Sequence, residues 1–81
     1  MKGIVVDLNL ARDLVAYECD GDYGYFEILD FTSEYECEDV IVGKLKELGN
    51  MIITNETRKC NGKIAVEDYG MSQDGVKEAI S

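Results

Sequence analysis

The side chains best placed to do chemistry in this chain are acids and tyrosines crowded between positions 14 and 31. Glu18, Asp20, Asp22 and Glu27 intersperse there with Tyr17, Tyr23 and Tyr25, and no Lys or Arg intervenes. Carboxylates attract positive groups, and tyrosine, an apolar body with a polar tip, is favoured at protein interfaces. The same set offers little for catalysis. With no His in the chain, a Ser or Cys nucleophile lacks its usual imidazole base. Carboxylate pairs are plentiful, but 17 acids in 81 residues make them commonplace. A glycosidase-like pair also needs a cleft that a small domain seldom has. The residues therefore point to a binding protein and not to an enzyme.

Metal and cofactor chemistry fares no better. The cysteines at 19, 37 and 60 form no CxxC pair, so the usual zinc ligand sets cannot be assembled. Asp20-Gly21-Asp22-Tyr23-Gly24 has a faint look of a calcium loop, but that loop needs further oxygen ligands and a closing Glu at fixed spacing. A hairpin turn explains the same residues, and neither a metal nor a cofactor is expected. The odd number of cysteines suggests free, reduced thiols. The apolar run near the N-terminus is broken by Asp7, which leaves it too short for a leader or a membrane span. The expectation is a cytoplasmic protein without membrane contact.

Charge sets the choice of partner. The net charge is −9, and ten acids lie between Asp13 and Gly43 without one Lys or Arg, while the remainder holds eight bases and seven acids. Such a block repels phosphate backbones and attracts basic protein surfaces. A solvated face that keeps a small protein soluble is the plainer account of it. The bases Lys44, Lys46, Arg58, Lys59 and Lys63 form the counter-case. If the fourth strand and the turn after the fifth bring them to one end of the fold, they make a small nucleic-acid patch. Ordinary surface balancing explains them equally well.

The elements that must position these groups read as strands. Residues 3–10 alternate, with Ile4, Val6, Leu8 and Leu10 on the face expected to be buried. Residues 14–19 form a second strand with apolar groups on both faces, so its inward side stays open. Asp20-Gly21-Asp22 turns the chain into a third strand, 23–31, whose pattern slips and predicts a β-bulge near Leu29 or Asp30. Residues 32–38 read as a loop, 39–45 as a fourth strand with Gly43 at a bend, and 51–57 as a fifth. Asn61-Gly62 marks a hairpin turn before a sixth strand at 63–69. Ser72 can cap a short helix with Val76, Ala79 and Ile80 on one face. The whole chain, 1–81, reads as one all-β domain, a small five- to six-stranded OB-like barrel with a short C-terminal helix. An SH3-like barrel is the alternative.

Three segments carry a family resemblance: Lys2-Gly3-Ile4-Val5, Gly24-Tyr25-Phe26-Glu27-Ile28 and Glu38-Asp39-Val40-Ile41-Val42-Gly43. In order and pattern they resemble the opening strand, the aromatic third strand and the start of strand four of cold-shock-type OB domains. The arrangement is also similar to short bacterial proteins with this strand order. The resemblance implies binding of single-stranded RNA or DNA, with Tyr17, Tyr25 and Phe26 as the stacking positions. Stacking of this kind works beside a basic groove that tracks the backbone. The acid block here favours the other expectation, a basic protein partner held by Tyr17, Glu18, Asp20, Asp22, Tyr23, Tyr25 and Glu27.

Overall fold

The alternating segments become β1 (Lys2–Asn9), β2 (Leu14–Cys19), β3 (Asp22–Ile28), β4 (Val40–Val42), β5 (Gly49–Asn55) and β6 (Cys60–Met71), followed by α1 (Gln73–Ile80). They are seen in a computed structural model that describes residues 1–30 and 33–81. The strands close into an antiparallel ring in the order β1-β2-β3-β6-β5-β4. The expected all-β barrel with a short C-terminal helix therefore forms, in a six-stranded version compatible with an OB-like barrel. Among the described residues, no helix is long and apolar enough to cross a membrane.

The Asp20-Gly21 turn forms as read. Both residues take positive φ, 54° and 86°, as a two-residue hairpin of the inverted type requires. It sets the β2–β3 register, with Cys19 opposite Asp22 and Tyr17 opposite Gly24. Gly24 is the only residue that fits there. A Cβ on it would lie 2.7 Å from both the Tyr17 hydroxyl and the Asp68 carbonyl.

Four readings need correction. The inward face of β1 is not Ile4, Val6, Leu8 and Leu10. The pairing passes from Val5–Tyr17 to Asp7–Ala16, so Val6 is an extra residue and the faces exchange there. Gly3 and Val5 point inward before it and Leu8 packs on the core after it, while Ile4 and Leu10 are exposed. The third strand ends at Ile28 instead of running on to 31, and Phe31 and Thr32 lie outside the described residues. The irregular register between β3 and β6 lies opposite Tyr23–Phe26 and not near Leu29 or Asp30; the extra residues are on β6. Finally, Asn61-Gly62 is not the turn. The turn is residues 56–59, where the Arg58 amide donates to Asn55 Oδ1 at 3.1 Å and Lys59 takes positive φ. Gly62 sits instead where Ser33 and Tyr35 press too closely for any side chain.

Two apolar layers result. The barrel interior is organised by Tyr17, Phe26 and Tyr35, with ring centroids 6.0 Å apart for the first pair and 5.3 Å, edge-to-face, for the second. Outside the barrel, Leu14 and Ala16 of β2 pack under Val76 and Ile80 of α1, joined by Val6, Tyr23, Tyr25 and Met71. Both faces of β2 are thus buried, which answers the question its sequence left open. The helix is capped as read, with the Gly75 amide donating to Ser72 Oγ at 3.0 Å. Its far end is held by Asn9 Nδ2 donating to the Ile80 carbonyl at 2.6 Å, and by Arg12 donating to the Ala79 and Ser81 carbonyls. A cation there also offsets the helix dipole.

The Tyr17 hydroxyl donates to the Leu45 carbonyl inside the barrel. Tyr17→Phe leaves that carbonyl without its partner, and a loss of about 1–3 kcal/mol is expected in urea unfolding. Gly24→Ala should cost more, because one of the two clashes is with backbone.

Candidate functional site

Of the residues expected at the binding surface, Tyr17 does not belong. It is 1% exposed. Burial, with Cys19 and Asp68 nearby, pushes its phenol well above the ordinary tyrosine range. Its place is the core, beside Phe26, so neither ring can stack on a base. Tyr25 faces the opposite side from Phe26, as the alternation predicts, and with Tyr23 it lies half-buried along the edge of the helix cluster. Glu18 is half-buried, and Asp20, Asp22 and Glu27 are exposed. Asp20 and Asp22 sit at the hairpin turn, where Lys46 approaches Asp20 at 3.8 Å. Glu27 lies at the other end of β3. The expected surface is therefore split along its own strand.

What completes its far half comes from β6. The register sets Tyr25 opposite Asp68 and Glu27 opposite Ala65, and the slip between them leaves Glu67 exposed beside both. Arg12, Leu14, Tyr25, Glu27 and Glu67 line one concavity of about 350 Å³. Tyr69, 41% exposed, continues the acid–tyrosine character toward the hairpin turn. Glu67, Asp68 and Tyr69 were missing from the candidates read from sequence. Their signal was present as an acid-acid-tyrosine triplet, but it lies in a stretch of near-zero net charge, far in sequence from the acid block.

The basic residues do not gather at one end. Lys44 and Lys46 precede β5 while Arg58 and Lys59 follow it, and a seven-residue strand separates its ends by roughly 20 Å. Arg58 is also committed: Nε donates to Asp39 Oδ2 at 2.7 Å and Nη2 meets Glu36. Lys63 lies mid-wall, opposite Ile52. A continuous nucleic-acid patch is not formed by these five side chains. Of the outer face of β2 and β3, where OB barrels commonly hold oligonucleotides, the β2 part, Leu14 and Ala16, is packed under α1, and Tyr23 and Tyr25 of β3 are half-buried at its edge.

Buried polar groups elsewhere are structural. Asp39 Oδ2 accepts from the Glu36 amide, Asn55 Nδ2 and Arg58 Nε at 3.0, 2.9 and 2.7 Å. Burial alone would raise its pKa, but the hydrogen bonds from Asn55, Glu36 and Arg58 outweigh it and hold the carboxyl below its ordinary value. Burial, then the charge of Asp20, pushes the Cys19 thiol up, away from a reactive thiolate. The Tyr35 hydroxyl, next to Ser33, has no hydrogen-bond partner among the described residues, and its burial raises its pKa. No group of three or more Cys, Asp or Glu side chains converges to hold a metal ion among the described residues.

No protein-family model, curated protein or solved structure matches the chain.

The Asp39 network fixes the sign of one pH effect. A carboxyl whose pKa is lowered by folding stabilises the fold above its unfolded value, about 3.9, and that stabilisation is lost as pH falls through the folded value. Thermal midpoints should drop below about pH 4 in the parent chain and more shallowly in Asp39→Asn. Asp39→Ala, which removes the acceptor shared by Asn55, Arg58 and the Glu36 amide, should lose ~2–3 kcal/mol at neutral pH in urea unfolding.

Proposed function

We propose that this chain is a non-enzymatic binding module that engages a basic protein segment through the outer wall of β3 and β6. The observation that carries the reading is the concavity that Tyr25, Glu27 and Glu67 line together with Arg12 and Leu14. A ring and two carboxylates in one concavity suit a guanidinium or ammonium group, which gains from the ring face and from the acids together. The net charge of −9 steers such a partner toward the barrel from a distance. Arg12, held by the helix carbonyls, forms one rim of the concavity and sets the direction of approach, because a second cation avoids it.

Binding of single-stranded nucleic acid by a cold-shock-like barrel has less support. The stacking positions that reading needs are Tyr17 and Phe26 inside the barrel, with Tyr25 beside α1, and the bases it needs are dispersed. The acid wall opposes a phosphate backbone.

The test is binding of a fluorescent Arg/Lys-rich peptide measured by anisotropy across a salt series, with a mixed-sequence oligonucleotide run in parallel. The peptide should bind, weaken as salt rises, and lose about tenfold or more in affinity with the Glu27→Lys, Glu67→Lys double variant at unchanged thermal stability. The oligonucleotide should not bind. Equal peptide binding by parent and double variant would sink the proposal.

A further inference from the structure

A second wall of the barrel has the opposite character. Leu29, just past β3, donates its amide to the Lys63 carbonyl at 3.0 Å, and Lys63 pairs across β6 and β5 with Ile52. Leu29, Lys63 and Ile52 thus occupy neighbouring chain segments in one row. Ile52 is 65% exposed and Leu29 42%. With Asn50, Met51 and Ile64 they line a concavity of about 220 Å³. No acid lines it, and Lys63 makes no ion pair among the described residues. Asp30, next to Leu29 in sequence, is not among its lining residues.

We infer that this row is a docking site for a protein segment that presents an apolar side chain beside a carboxylate. The volume is below the ~300 Å³ at which small-molecule pockets begin, and it suits one large side chain. Exposed aliphatic groups of this size gain by being covered, and the one cation between them selects the sign of the neighbour. Strand addition is not available as a binding mode, because the ring is closed and has no free edge. Recognition therefore rests on side chains. A second copy of the chain fits poorly: a two-fold contact sets this patch, with its one cation and no acid in its lining, against itself, and each copy carries −9. The acidic wall comes nearest at Glu27, two residues before Leu29 and one diagonal step from Lys63 across the β3–β6 pairing, roughly 8 Å away. At physiological salt the screening length is also about 8 Å, so Glu27 tempers the pull of Lys63 on a carboxylate, and Glu67, roughly 13 Å along β6, adds little.

The experiment uses the full chain, labelled with ¹⁵N, at physiological salt. It is titrated with three peptides of equal length: acidic-apolar, with Glu alternating with Leu and Phe; the same with Lys for Glu; and the same with Ser for the apolar residues. The acidic-apolar peptide should shift the amides of Ile52 and Lys63, and the other two should not. Lys63→Glu and Ile52→Thr, both at exposed positions and the second keeping a β-branched residue in the strand, should each weaken binding about fivefold or more without lowering the thermal midpoint. Absence of shifts at millimolar peptide, shifts confined to another wall, or equal binding of the Lys peptide each overturns the inference. So do shifts of the same amides on diluting the protein alone, which would assign the row to a second copy.

Discussion

The barrel is closed by its shortest strand. β4 has three residues and must join β1 on one side and β5 on the other. Without that seam the sheet would present two open edges, and three residues supply few ladder bonds. The ends of the seam are held by other means. Beyond its start, Glu38 and Asp39 continue the pairing by exchanging backbone hydrogen bonds with Val5 at 2.7 and 2.9 Å, and the Asp39 carboxylate grips Asn55 and Arg58 of the neighbouring β5 and its turn. Beyond its end, Gly43 lets the backbone close on Ile53, and the Leu45 carbonyl receives the Tyr17 hydroxyl. Closure thus depends on one buried carboxylate just before β4 that reaches β5 and its turn, and on one buried phenol that reaches from β2 to the segment just after β4.

That constraint decides what the hairpin can be. Tyr17 cannot serve as a displayed ring and also hold the seam. Its ring lies over Gly24 and fills the space a side chain there would take, so the hairpin's aromatic weight is turned inward. The other face of β2 is covered by α1, with Tyr23 and Tyr25 of β3 half-buried at its edge. From the sequence, the two apolar faces of residues 14–19 were visible as an ambiguity, and the ambiguity was the information: both faces are buried. The slip at Val6 was not visible. Apolar residues continue at 4, 6, 8 and 10, so a bulge that exchanges the faces leaves the alternation intact on paper while it puts Ile4 outside and Leu8 inside; Leu10 is exposed because it lies past β1, in a short helical turn.

The two hairpin signals show where local reading stops. Asp20-Gly21 joins strands that are adjacent in sequence and in space, and nothing distant competes with it. Asn61-Gly62 offers the same local chemistry, yet Gly62 is needed where residues 33 and 35 approach the barrel wall, a contact between segments nearly thirty positions apart. Asn55, with no glycine beside it, takes the turn by accepting from the Arg58 amide. The basic residues mislead for a related reason. Positions that flank one strand are close in sequence and lie at opposite ends of the barrel. Glu67 is the converse case, distant from Tyr25 in sequence and beside it in the sheet.

Because β6 borders both walls, its own charge pattern orders them. Lys63 lies on its outer side toward the start, and Glu67 and Asp68 follow toward the end. A closed ring offers no free edge, so a partner meets side chains alone, and side chains distinguish direction only through such asymmetry. A segment lying along β6 with its acidic end over Lys63 and its basic end over Glu67 gains at both positions. Reversed, it meets like charge at both. Specificity of this kind comes as much from the rejected orientation as from the accepted one, and it needs only a few residues, which is what a domain of this size has to offer.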